Sequence, residues 1–269
     1  MEQSMSNPFE DFDIRNLSPS NINKFIAAPD AWVASYIYKV RFPGGWAMHQ
    51  GTSVERGVEY GIYNPDAEVE ECVEIATRSL IKSPILMAGT EEQLAKRRPI
   101  VRQMVETALE QLRPYGVPLA PPRGDRQWKI SIPVNLPDGG VIDAIGYLDF
   151  RWPEMVVDLK TSSSAPSRLS LSHAIQGTVY QMAVAKETGE VLPMKFLYVL
   201  SRKKDPYVWI ELTEDDSREA LAVIRHNVRA MFNLLRVCRT KDEVRDMVPH
   251  DPSSFYWSDA EYQRNQLFL

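Results

Sequence analysis

Cysteine is scarce in this chain. Cys72 and Cys238 are the only two among 269 residues, too few for a disulfide framework or a four-thiolate zinc or iron–sulfur site. A reducing, cytoplasmic setting is expected. Long apolar runs are missing as well: Asp, Glu, Lys or Arg interrupts every stretch before the ~18 residues of a membrane span, so no membrane association is expected. The first thirteen residues are polar and acidic, without the basic-then-apolar order of a secretory signal. Positive charge is in deficit. Thirty-one Lys and Arg against 36 Asp and Glu leave a formal charge of −5, the wrong sign for coating a polyanion by bulk electrostatics. Three familiar signatures are absent: the phosphate-cradling Gly-x-x-x-x-Gly-Lys-Ser/Thr loop, the His-Glu-x-x-His zinc helix and the Gly-x-Ser-x-Gly elbow. The histidines (His49, His173, His226 and His250) stand apart from one another and are expected at the surface or as caps. Internal repeats and low-complexity segments are also lacking.

What remains is an ordinary globular composition, 44% hydrophobic and 25% charged, able to bury a substantial core. An acidic run (Asp66, Glu68, Glu70, Glu71, Glu74) and two basic clusters (Lys96, Arg97, Arg98, Arg102; and Lys195, Arg202, Lys203, Lys204) are expected as solvated faces. Residues 1–16 read as a loose lead. From 17 a helical pattern opens, capped by Ser18 or Ser20 and divided at Pro29. After a Pro43-Gly44-Gly45 break, helices are expected over 47–61, 66–83 and 90–112, the last kinked or broken at Pro99. The period then changes to two. Trp128, Ile130, Ile132 and Val134 alternate, which predicts a half-buried strand over 127–134. Further strands are expected over 141–150 and 155–160, then a loop at 162–167 and a helix over 171–187 ended by Gly189. Strands over 194–200 and 207–212, a long helix over 214–237 and a partly helical tail complete the order. The economical solution is an α/β (α+β) fold with a single mixed sheet of about five strands flanked by helices.

The chemistry concentrates around one predicted hairpin. If the turn 152–155 is centred on the Pro153–Glu154 bond, Asp149 lies directly opposite Asp158. Directly paired side chains have Cβ atoms about 5 Å apart, and like charges there are destabilising. Two carboxylates so placed among Val, Ile and Leu call for a cation, and hard oxygen ligands favour Mg²⁺ or Mn²⁺. Lys160 shares the strand face of Asp158. Two acids and a lysine at one sheet edge suit metal-assisted hydrolysis, although a solvent-facing Asp–Lys ion pair would leave the same pattern. Gln176 and Tyr180, four apart on the next helix, project from one face.

The pattern Gly146-x-x-Asp149, Asp158-x-Lys160 and Gln176-x-x-x-Tyr180 resembles the RecB-like branch of the PD-(D/E)XK nucleases, which includes recombination, phage-type and CRISPR-associated adaptation nucleases. Upstream, Gly51-Thr52-Ser53-Val54-Glu55-Arg56-Gly57-Val58-Glu59 resembles that branch's helical first motif, with Glu55 where the family has histidine. The stretch from Leu17 to Phe25 resembles the helix that opens such domains. The resemblance implies a restriction-endonuclease-like core within one domain over 17–269: a helical part over 17–115, a catalytic sheet over 125–212 and C-terminal helices over 213–269. It also implies that Glu55, Asp149, Asp158 and the Leu159 carbonyl hold one or two Mg²⁺ or Mn²⁺ ions. Lys160 would act on the attacking water; Gln176 and Tyr180 would contact the DNA strand or orient the water and Lys160; Thr161 and Ser162 would contact DNA; Glu59 would support Glu55. Some relatives carry an iron–sulfur cluster, but Ala27-Ala28-Pro29 replaces a cysteine position, so no cluster is expected. The implied activity is a DNA nuclease leaving 5′-phosphate and 3′-hydroxyl ends. An exonuclease in recombination, repair or end processing is favoured, working with a recombinase, annealing protein or helicase, and oligomers are compatible with it. The alternative is a weakly active or inactive DNA-binding subunit of a larger complex.

Overall fold

The computed structural model describes residues 7–42, 44–82, 90–121, 127–202, 204–258 and 260–269. Pro43 of the expected break, residue 83 of the expected helix and Lys203 of the basic cluster lie outside them. Helices α1 (Pro8–Asp11), α2 (Pro19–Ala27) and α3 (Pro29–Trp32) lead through a π-helical turn, Val33–Ile37, to α4 (Trp46–Tyr63), α5 (Val69–Ile81) and α6 (Thr90–Leu112). Strands β1 (Trp128–Asn135), β2 (Val141–Leu148), β3 (Phe150–Arg151) and β4 (Val156–Ser162) follow, then α7 (Leu171–Thr188), β5 (Met194–Leu200) and β6 (Tyr207–Glu211). Helices α8 (Glu214–Val237), α9 (Lys241–Asp246) and α10 (Glu261–Phe268) close the chain. Among the described residues no helix is long and apolar enough to cross a membrane.

The mixed α/β class is as expected, but the strands form two sheets rather than one. An antiparallel pair, β1–β2, stands beside a four-stranded sheet in the order β3-β4-β5-β6. The division falls at Asp149, inside the strand expected over 141–150. The ladder to β1 ends at Leu148 and the ladder to β4 begins at Phe150. Between them the Asp149 carboxylate itself accepts the Leu159 N–H at 2.9 Å, a side chain taking a donor that a ladder would otherwise use.

Strand β4 runs parallel to β5 through the crossover helix α7, with Asp158 beside Phe196 and Lys160 beside Tyr198. Period-two alternation then sorts the two strands onto two cores. Val156, Met194, Phe196, Tyr198 and Leu200 face the core shared with β1, β2, α7 and α8. Val157, Leu159, Leu197 and Val199 face the core built by α4, α5 and α6. Both faces are covered, which explains the continuous apolar run of β5. Helix α4 approaches α5 closely: a Cβ on Gly57 would lie 2.6 Å from the Cys72 carbonyl oxygen, a backbone atom that cannot yield.

Two local expectations change. Residues 7–16, expected loose, are docked: Phe9, Phe12 and Ile14 are buried in the first core, and Leu17 bridges β2 through 2.8 Å bonds to Asp143 and Ile145. Polar neighbours conceal three apolar anchors in that stretch. Helix α6 continues through Pro99. The proline sits on the exposed side, so the carbonyl it frees faces water, while Val101, Met104, Val105 and Ala108 hold the helix on its core. Within the expected basic cluster, Arg102 grips Glu70 of the acidic run through bonds of 2.7 and 2.5 Å and Lys96 pairs with Glu92.

Candidate active site

On β4 the even positions point toward α7, which delivers Asp158 and Lys160 to one side. Helix α7 starts at the Ser170 cap, whose hydroxyl accepts the His173 N–H. Its residues Gln176 and Tyr180, one turn apart, lie over that side. Asp158 is 1% exposed. Its Oδ2 lies 2.5 Å from Lys160 Nζ, and its Oδ1 accepts from Gln176 Nε2 at 3.0 Å. Lys160 donates to Gln176 Oε1 at 2.9 Å, and Gln176 Nε2 also donates to the Tyr180 hydroxyl at 2.8 Å. One amide thus ties the acid, the lysine and the phenol together. Gly146 makes room for this: a Cβ there would fall 2.5 Å from Tyr180 Cε1.

Asp149 is the hub of the other half. The β3–β4 ladder pairs Phe150 with Val157 and Arg151 with Val156, and the same register carried one step further sets Asp149 opposite Asp158. The β1–β2 ladder pairs Trp128 with Leu148; carried one step, it sets Gln127 opposite Asp149 on the other flank. Gln127 Nε2 donates to Asp149 Oδ1 at 3.0 Å and to Glu55 Oε1 at 2.9 Å. Glu55 therefore reaches the sheet edge from α4, across nearly a hundred residues of sequence. Gln127 is not among the residues that the sequence singles out. The signal for it is the Pro137-Asp138-Gly139-Gly140 turn, which centres the β1–β2 hairpin and fixes that register.

The electrostatics follow from crowding three acids in a low dielectric. Burial, with Asp158 and Glu55 close by, holds the Asp149 carboxyl well above its usual range. Burial raises Asp158 too, with Lys160 pulling the other way. For Lys160, burial alone would favour the neutral amine, but Asp158, Asp149 and Glu55 together override it and raise its pKa. The lysine is therefore held as an ammonium.

The remaining sequence candidates take different positions. Burial with Glu59 and Asp149 nearby pushes the Tyr63 phenol up to about 12, which sets Glu59 on the Tyr63 side of the cluster. Thr161 points to the opposite face from Lys160, and its hydroxyl is 3.2 Å from where a Gly51 Cβ would stand. Ser162 closes its own turn on Ser164. Neither joins the Asp158–Lys160–Gln176 cluster. Leu159 takes part through its backbone N–H to Asp149. His173, expected at the surface, is instead drawn in: its Nδ1 is 2.6 Å from the Tyr198 hydroxyl and its ring stacks on Phe196. Burial and Lys160 push its pKa down to about 4, so it is a neutral imidazole at pH 7. A cleft of about 550 Å³ opens beside these groups, lined by His173, Gln176, Tyr180, Tyr147, Lys24 and Tyr256 among others.

Among the described residues no three His, Cys, Asp or Glu side chains stand together as a finished metal cage. The donors nevertheless suit a hard divalent cation. Asp158 Oδ2 is buried without a hydrogen-bond partner, its lysine contact being an ion pair alone. Glu55 and Asp149 are bridged by a neutral amide where compensation calls for positive charge. Carboxylate oxygens of this kind are ligands for Mg²⁺ or Mn²⁺.

A model of the PD-(D/E)XK nuclease superfamily matches residues 16–242. No curated protein matches the chain by sequence. Among solved structures, a candidate exonuclease from Eubacterium rectale superposes with a TM-score of 0.58 at 16% identity, covering 89% of this chain and 88% of that one. This likeness is one of fold. The SSO0001 crystal structure is similar over 64% of this chain and 73% of its own, at 17% identity and a TM-score of 0.30.

Proposed function

The chain belongs to the PD-(D/E)XK nuclease superfamily, and from that premise we propose that it is a metal-dependent deoxyribonuclease, acting as an exonuclease in DNA recombination, repair or end processing. The observation that carries this reading is the convergence of Asp158 and Lys160 under the Gln176 amide, with Asp149 opposite Asp158 across the hairpin. The exonuclease assignment of the Eubacterium rectale fold neighbour points the same way.

Glu55, Asp149, Asp158 and the Leu159 carbonyl would hold the cation. Mg²⁺ or Mn²⁺ bound there would supply Lewis acidity toward the scissile phosphate. Lys160, kept protonated by its acids, orients and polarises the attacking water and offsets the charge building on the phosphate. Gln176 fixes the Lys160 ammonium by accepting a hydrogen bond from it, and Tyr180 fixes Gln176. The water oxygen bonds to phosphorus as the P–O3′ bond breaks; the proton that the water gives up passes to solvent, and the leaving 3′ oxygen takes one from solvent. A 5′-phosphate and a 3′-hydroxyl result. Thr161 and Ser162, at the end of β4, would contact the DNA backbone, and Glu59 would support Glu55. We place it in the cytoplasm, in keeping with its two cysteines, working beside a recombinase, annealing protein or helicase.

The test is digestion of end-labelled single- and double-stranded DNA with Mg²⁺, Mn²⁺ or chelator. Cleavage that starts at ends, needs either ion and stops with chelator is expected. Metal-independent cleavage, or none with either ion, would overturn the proposal.

A further inference from the structure

The Gln127 side chain directs both amide protons at acids of the site. One nitrogen reaches Glu55 Oε1 at 2.9 Å and Asp149 Oδ1 at 3.0 Å. Ionised carboxylates only accept, so their partners fix the amide with its nitrogen inward. Those two oxygens are also ones that a divalent cation would take. A cation that bridged them would sit between the two oxygens, where the Gln127 nitrogen now stands 2.9 and 3.0 Å from each, so ion and amide compete for one place.

We propose that Gln127 is a built-in competitor for the metal: its amide stands in for the cation between Glu55 and Asp149, and ion binding requires it to withdraw. This rests on the metal-dependent reading above and extends it to a residue outside the acidic set. Without metal, Gln127 keeps two repelling acids together. On metal uptake its two charge-assisted hydrogen bonds are forfeited, which lowers the apparent affinity. The site is then filled when the free cation is abundant and left on the amide when it is scarce. Position supports the assignment, since the β1–β2 register carried one step past Trp128 and Leu148 sets Gln127 across from Asp149, just as the β3–β4 register carried one step sets Asp158 there.

The experiment is calorimetric titration of the full chain with Mn²⁺, comparing wild type with Gln127→Met, which keeps length and volume but has no donor, and Gln127→Ala. Both variants are expected to bind Mn²⁺ about tenfold more tightly, a gain of ~1.4 kcal/mol. Their melting temperatures in chelator should fall, while those with saturating Mn²⁺ stay at the wild-type value. Unchanged or weaker binding in Gln127→Met would overturn the proposal and assign the glutamine to the metal's own ligands or to structure alone. Wild type that binds no Mn²⁺ would overturn it together with the metal-dependent reading. Tighter binding in a protein that cuts no DNA would sustain the competitor and sink the nuclease.

Discussion

Two buried aspartates, each 1% exposed, have opposite surroundings. Asp30, at the start of α3, is met by four donors. Its Oδ1 accepts the Ala31 N–H at 2.7 Å, and its Oδ2 is contacted by the Asp251 N–H at 3.0 Å, the Trp257 indole at 2.9 Å and His250 Nδ1 at 2.7 Å. Asp158 faces another acid across the hairpin, accepts one hydrogen bond from the Gln176 amide on Oδ1, and meets Lys160 on Oδ2 as an ion pair alone. A carboxylate ringed by dipoles is complete, and such a group holds structure together. One left short beside a like charge costs stability and persists where a ligand supplies what is missing. Satisfaction, rather than burial, separates the clamp from the site.

The sharpest way to break this contrast is to remove each acid in turn. Asp158→Ala should cost more than about 100-fold in DNA cleavage, beyond what losing an outer-shell partner costs a metal site. Its melting temperature in chelator should hold or rise, because a like-charge neighbour is gone. A variant that cuts at the wild-type rate would move the site elsewhere. Lys160→Ala should lose roughly 10²–10³ in rate and still bind Mn²⁺ by calorimetry; failure to bind would make the pair structural. Asp30→Ala should do the reverse of Asp158→Ala. Stranding four donors, two of them fully buried, costs about 3 kcal/mol, roughly 6–12 °C of melting temperature, with the rate of the folded fraction intact. His250→Gln, touching one of the four, should cost about 1 kcal/mol, read in the same melt.

The finest test is pH. As pH falls through its raised folded-state value, Asp149 takes up a proton before the unfolded chain does. Metal-free wild type therefore gains stability on acidification until about 3.9, the unfolded carboxylate value. A carboxamide at this position has nothing to titrate, so Asp149→Asn should be the more stable protein at pH 7.5, and the gap should close toward pH 5. His173, pushed down to about 4, works against folding below its ordinary ~6.5, but it is common to both proteins and cancels. A gap that stays flat with pH would show that Asp149 is not under the strain of its neighbours.

Legibility tracks the range of the forces involved. The alternation of Trp128, Ile130, Ile132 and Val134 and the helical spacing of Gln176 and Tyr180 are local, and β1 and α7 lie where the pattern puts them. The Asp149–Asp158 register is readable because a short turn sets it. Splitting the sheet at Asp149 is not, since it depends on a carboxylate capturing the Leu159 N–H ten residues away. Gln127 carries no periodic signal, being a single amide at the end of a strand. His173 reads as a surface residue because its cover, Phe196 and Tyr198, comes from a strand on the far side of α7. Asp30 sits in the first turn of α3, a common exposed place for an acid; its burial needs partners that lie more than 200 residues downstream.

That separation has a consequence in time. His250 follows Asp30 by 220 residues and Trp257 by 227. At a synthesis rate of ~5–20 residues per second, the aspartate waits on the order of 10–45 s for its donors. Meanwhile β4, α7 and β5, which are contiguous in sequence, can already meet. Tyr256, on the rim of the cleft beside Gln176 and Tyr180, arrives with the same late segment. A nascent chain thus assembles its carboxylates first and finishes the wall around them last, after the C-terminal turns have folded back onto the corner where the first helices end.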